Sequence, residues 1–253
     1  MAAAGLRLEA PQGYGPVVAL DRVAHAGLGL RPSAESGWSA GLSAVFVNAA
    51  EFGKAALHYP LAFTREPGRA EYVPVALLGL RRGRNLFVDA QGRWDPACYP
   101  PAYIRRHPFC IAELPQPGGR SAQRLVCVEA RALVAGTPAL FDARGEPTAE
   151  GRQRLQLLEE IEAARQRTRV FTRRLEALDL LRPFEALVLP AGAPQARVKG
   201  LFRVDETALE ALGSRELRSL QKKGELRAIY AHLLSLENFA ALMARERANP
   251  GPG

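Results

Sequence analysis

Between Trp94 and His107 the sequence reads WDPACYPPAYIRRH. Trp94, Tyr99, Tyr103, Arg105, Arg106 and His107 combine aromatic faces with forked guanidinium groups and an imidazole. Such a set can hold a carboxylate, a phosphate or a sugar by stacking together with paired hydrogen bonds. The prolines keep the segment from being a simple helix interior and place its polar groups on a stiff loop, where binding residues often lie. The competing structural reading has Arg105 and Arg106 paired with acids of the same domain and the aromatics closing the core. These six are the candidate ligand-binding residues. No catalytic residue and no metal ligand is assigned.

Other chemistry leaves little trace. His25, His58, His107 and His232 form none of the local metal-binding spacings, so a metal would need ligands from distant segments. His232 stands beside leucines, where a hydrogen-bonded core histidine is expected. There is no phosphate loop with Gly-Lys-Ser/Thr and no Gly-x-Gly-x-x-Gly dinucleotide fingerprint. Asp89, Asp95, Asp142 and Glu146 lie in or beside turns and are read as turn formers rather than acid/base pairs or calcium ligands. Cys98, Cys110 and Cys127 form no Cys-x-x-Cys pair and are expected to be buried reduced thiols. No cofactor is expected.

The chain has 253 residues with 47% hydrophobic and 24% charged content, enough for a sizeable packed core. Its formal net charge is +8, but only four of the 34 basic residues are lysines. Arginine spread over the whole chain does not build a phosphate-tracking groove, so nucleic acid is not an expected partner. The local exception is Arg81 to Arg106, with six arginines against Asp89 and Asp95. No apolar run approaches the roughly 20 residues of a membrane span. The N-terminal stretch carries Arg, Glu and Pro where a secretory signal needs an apolar core, so a cytoplasmic location is expected.

The elements that must position the candidates are read from periodicity and punctuation. Extended pieces are predicted at 17–20 and 25–30, a buried strand at 43–48, and a helix from 49 to about 58 capped by Asn48. Strands follow at 61–64, at 73–80 with 85–88 as a hairpin around Arg81-Arg82-Gly83-Arg84, and at 109–114 with 124–129. Asp89-Ala90-Gln91-Gly92 and Asp142-Ala143-Arg144-Gly145 read as matching turns. Thr148 starts the longest helix, running to about 181 with one apolar stripe. A strand pair at 184–189 and 197–204 precedes helices at 207–212, 215–223 and 225–245, and the tail from Asn249 is expected to be disordered. The fold class expected is α+β, with an antiparallel β-rich N-terminal part (1–147), a long connecting amphipathic helix (148–182) and a C-terminal β-hairpin with helices (183–253), packed as one unit.

Several segments, VALDRVAHAGLGLRP, SAVFVNAAEF, the whole of 74–109, LFDARGEPT, GLFRVDE and GELRAIYAHLLSLENF, resemble in order the SapC family of bacterial proteins, named from a surface-layer protein locus. The loop from Glu113 to Gln123 has no counterpart, and Cys98 and Cys110 look incidental to the match. The resemblance implies a role near surface-layer assembly or transport. It also places members near genes for outer-membrane uptake receptors and flavin-dependent halogenases. It supplies no catalytic residues.

The function expected is therefore that of a cytoplasmic accessory or binding protein associated with cell-surface or transport systems, holding a small anionic ligand or a partner protein segment through the arginine/aromatic cluster. A homodimer is left open. The alternative is an enzyme acting on a small molecule or peptide, open to metal dependence, with His25, His107 or His232 brought together by the fold.

Overall fold

The structure is a computed structural model, and it describes residues 8–31, 36–65, 71–114, 123–136, 138–188 and 196–249. Where the sequence suggests three consecutive parts, strand pairing draws two compact units from interleaved segments: 1–34 with 106–160, and 35–105 with 161–253. Mixed α+β architecture holds in both, and every strand pairing among the described residues is antiparallel.

The first unit is built on a three-stranded sheet in which β1 (Val17–Ala19) and β6 (Phe109–Leu114) flank β7 (Gln123–Glu129). A short pair joins β2 (Gly29–Leu30) to β8 (Leu133–Val134). Phe109, Val128, Leu140, Phe141 and Leu158 form its core. Leu158 comes from α3 (Ala149–Ala177), the long helix predicted from Thr148. The Thr148 hydroxyl accepts the Gly151 N–H and donates to the Ala139 carbonyl, so one side chain caps the helix and ties it to the preceding turn. Gly151 is fixed by crowding, since a Cβ there would stand 2.0 Å from the Leu140 oxygen.

The second unit holds a five-stranded sheet ordered β3-β5-β4-β10-β9. These are β3 (Ala44–Phe46), β4 (Leu61–Arg65), β5 (Tyr72–Leu77), β9 (Leu181–Val188) and β10 (Ala196–Val204). Its core runs from Phe52, Tyr59 and Phe63 to Phe171, Leu175, Leu220, Ile229 and Leu242. The helix after Asn48 is shorter than predicted, a 3-10 turn at 49–51 leading into α1 (Phe52–Ala55). Its start carries a capping box: Asn48 and Glu51 exchange backbone and side-chain hydrogen bonds.

Two predicted elements are replaced. The expected hairpin partner at 85–88 is not a strand. The Leu86 N–H reaches back to the Leu78 carbonyl, while the Asn85 amide donates to the Ser39 carbonyl and accepts the Phe87 N–H. That side chain supplies partners a sheet neighbour would have supplied, and α2 (Ala102–Arg105) ends the segment. The single last helix is instead two, α6 (Glu225–Ser235) and α7 (Asn238–Ala248), after α4 (Glu206–Glu210) and α5 (Ser214–Lys222). The break is tightened by i→i+3 bonds from Leu236 and Glu237, and the Asn238 amide donates to the Ala56 and Tyr59 carbonyls. Tyr230 on α6 is exposed. The stretches 66–70, 115–122 and 189–195 between predicted strands and the tail beyond Asn249 lie outside the described residues.

Both Asp-x-x-Gly turns form as predicted. Asp89 accepts N–H bonds from Gln91 and Arg93, and Asp142 from Arg144 and Glu146. Gly92 and Gly145 take φ of 77° and 78°, values an L side chain resists.

Candidate functional site

In the second unit, residues 84–96 and the end of α7 wall a cleft of about 780 Å3. Trp94 lines it. Its indole N–H donates to the Cys98 carbonyl, and its ring stacks on Phe87 at 6.3 Å between centroids and 22° between planes. The Arg245 guanidinium lies 4.5 Å from the Phe87 centroid and pairs with Asp95 at 2.8 Å. Arg245 therefore presents a desolvated face to an aromatic ring and a hydrogen-bonding edge to a carboxylate. That edge holds the Asp95 carboxyl below its usual range, with the Ala97 N–H adding to the effect. Burial beside this pair pushes the Cys98 thiol up.

Two more arginines border the cleft. Arg93 pairs with Asp89 at 2.9 Å in an exposed position. Arg84 reaches Glu246 at 2.9 Å, and Arg81 reaches the same carboxylate oxygen at 2.8 Å. Glu246 is 2% exposed, and its other oxygen has no hydrogen-bond partner among the described residues. Cleft-lining charge amounts to Arg84, Arg93 and Arg245 against Asp89 and Asp95, leaving a cationic excess. An incoming anion would share or displace the two aspartates, whereas a cation would meet arginine edges.

Tyr99 and Arg105 belong to a neighbouring buried network in the same unit. One Glu51 oxygen accepts the Tyr99 hydroxyl at 2.8 Å, the Ala102 N–H at 2.7 Å and, at 3.5 Å, an Arg105 N–H. Arg105 also donates to the Tyr99 oxygen at 3.0 Å and to the Pro100 carbonyl at 3.1 Å. Burial, with the Glu51 hydrogen bond second, pushes the Tyr99 phenol up to about 12. Arg105 and Lys54 approach its ring at 5.6 and 5.7 Å. Tyr103 packs against Trp38 with centroids 6.2 Å apart. This group locks the 99–105 segment onto the capping box at Asn48.

Arg106 and His107 belong to the first unit. His107 Nε2 stands 3.0 Å from Glu129, and its ring meets Tyr14 edge-on at 5.0 Å. Burial holds its imidazole below the usual value although Glu129 pulls the other way. Of the six candidates, Trp94 alone lines the cleft, Tyr99, Tyr103 and Arg105 sit in or beside the Glu51 network, and Arg106 and His107 fall in the other unit.

The histidines named for a metal-dependent enzyme are occupied in different ways. His232 is fully buried in the second unit, with Nε2 accepting the Val204 N–H at 3.0 Å and Nδ1 3.0 Å from the Leu61 carbonyl. Because Nε2 must accept, Nδ1 carries the proton and donates. His25, in the first unit, accepts the Asp21 N–H. Among the described residues no three His, Cys, Asp or Glu side chains lie together as a metal-ligand set.

Sequence reading missed Phe87, Arg245 and Glu246. Phe87 was read as a strand residue, and the α7 pair is separated from the cleft loop by some 150 positions, Asp95 to Arg245. Only the alternation of Arg245 and Glu246 on the last helix hints at them.

The fold and cleft thus define a mixed α+β protein with an arginine-bordered, aromatic-walled cleft. A SapC family model matches residues 20–242 of this sequence. The chain belongs to the SapC family. No curated protein and no solved structure matches it.

Proposed function

We propose that this SapC family member is a binding protein whose cleft at residues 84–96 and Arg245 takes a small anionic ligand or a carboxylate-bearing segment of a partner. One observation supports this above others: Arg245 is held between the Phe87 face and Asp95 in the wall of a cleft rimmed by Arg84 and Arg93. A cleft of about 780 Å3 is within the range that small ligands occupy. Aspartates that hold the arginines in place when the cleft is empty also pre-orient them for a competing carboxylate or phosphate. As part of the same proposal, the protein works in the cytoplasm as an accessory to cell-surface or transport systems; cell fractionation tests the location.

Native mass spectrometry of the purified protein identifies any co-purifying anion. Titration with inorganic phosphate and with benzoate then distinguishes a bare anion site from one using the aromatic wall. Arg93→Ala, at an exposed position, is expected to weaken binding about tenfold, equivalent to about 1.4 kcal/mol. Absence of binding by either probe, or unchanged affinity in both Arg93→Ala and Arg245→Ala, would overturn the proposal.

A further inference from the structure

Strand register in the first unit places two thiols face to face. Cys110 on β6 and Cys127 on β7 are direct antiparallel partners, flanked by Phe109 opposite Val128 and Ile111 opposite Val126. The Glu129 N–H donates to the Pro108 carbonyl, and the alternation of an antiparallel ladder then makes the Cys110–Cys127 position a hydrogen-bonded pair. Cα atoms at such a position lie about 5.5 Å apart, inside the range a disulfide spans. The two side chains point to the same face of the sheet and are 2% and 0% exposed. Both are free thiols.

We propose that Cys110 and Cys127 form an oxidisable dithiol, a modification site whose co-reactant is a small hydroperoxide. The Cys127 thiolate attacks the distal peroxide oxygen, the O–O bond breaks, and the departing oxygen takes a proton and leaves as water or an alcohol. Cys127 is then a sulfenic acid. The Cys110 sulfur attacks the Cys127 sulfur, its thiol proton joins the leaving hydroxide as water, and the disulfide forms. Two thiols and one hydroperoxide give one disulfide, one water, and one water or alcohol.

The assignment of roles follows from the surroundings of each sulfur. The Cys127 sulfur lies 3.7 Å from the Leu125 carbonyl, and the neighbouring Cys110 thiol together with the Ala112 N–H holds the Cys127 thiol below its ordinary value. Cys110, buried beside Cys127, is pushed up, with the Arg106 charge a lesser opposing influence. A buried nucleophile selects a small oxidant over a bulky disulfide. Access runs through β6, which has a sheet neighbour on one side only, among the described residues. Cys98, in the second unit, bonds to Asp95 and Arg245 instead and serves as an internal control.

The test uses the full chain, reduced, desalted and treated with hydrogen peroxide near stoichiometry. Thiols remaining are alkylated before unfolding and again after it, and peptides are sequenced by mass spectrometry. The expected result is loss of two of the three thiols, a Cys110–Cys127 cross-linked peptide, Cys98 left alkylatable, and recovery with a dithiol reductant. Cys110→Ala should stop the reaction at a Cys127 sulfenic acid, trapped by a carbon nucleophile, whereas Cys127→Ala should slow thiol loss at position 110 at least tenfold. Oxidation at Cys98 in preference to the pair, cross-linking only after denaturation, or no loss of thiol from the folded protein would each overturn the proposal.

Discussion

Replacing His232 by glutamine should change how the protein responds to acid, because the imidazole is the neutral hinge pin between β10, β4 and α6. The ring has no exposure, accepts from Val204 and donates to Leu61. Burial pushes its pKa from 6.5 down to about 4, outweighing the Leu61 bond. The sign follows from proton counting. Below pH 6.5 the unfolded chain binds a proton at this position that the folded one refuses until about pH 4, so stability is full above pH 6.5 and declines as the pH falls toward 4. The interval between 6.5 and about 4, at about 1.4 kcal/mol per pH unit, corresponds to on the order of 3 kcal/mol. Urea unfolding followed by tryptophan fluorescence at a series of pH values from 7.5 to 4 would measure it. His232→Gln should be destabilised at neutral pH, since one buried partner loses its bond at a cost of about 1–3 kcal/mol. It should also lose less stability on acidification than the wild type does, by that order of magnitude. His107, whose value is also lowered by burial, stays in both proteins and cancels in the comparison. Parallel pH profiles for the two proteins would refute the reasoning.

Other outcomes follow from the same contacts. Glu51→Ala removes the acceptor shared by Tyr99, Ala102, Arg105 and the Asn48 amide, and should cost about 3–5 kcal/mol in chemical denaturation. The Tyr99 phenol, pushed up to about 12 with Glu51 as its second cause, should titrate closer to its ordinary range in that variant, as read by ultraviolet difference spectra. Gly151→Ala should lower the melting temperature, although alanine favours a helix by about 1 kcal/mol, because the new Cβ would meet the Leu140 carbonyl at 2.0 Å. An unchanged or raised melting temperature would show that the turn before α3 can move aside.

Local features were legible because their causes are local. The helix start at Asn48, the two Asp-x-x-Gly turns and the Thr148 start of the long helix each follow from side chains bonding their own neighbourhood. His232 as a core histidine also followed from its apolar surroundings on a helix. The expected strand at 85–88 failed because Asn85 takes partners from Ser39 and Phe87, which periodicity does not register. The helix break at 236–237 was hidden for a similar reason: Asn238 is an ordinary helix residue until the Ala56 and Tyr59 carbonyls arrive from α1.

The residues from Trp94 to His107 show where the boundary lies. Their types alone stated that stacking and guanidinium chemistry were available, and composition with family pieces fixed an α+β SapC chain. Which of them meet was decided by long-range pairing. Arg245 and Glu246 come to the 84–96 loop from α7, Glu51 gathers Tyr99 and Arg105, and the register of β6 with β7 sets Cys110 against Cys127. A cleft, a buried carboxylate hub and a facing thiol pair all depend on contacts between segments far apart in the chain. No local pattern encodes them, because the free energy that selects them is released only when the core closes.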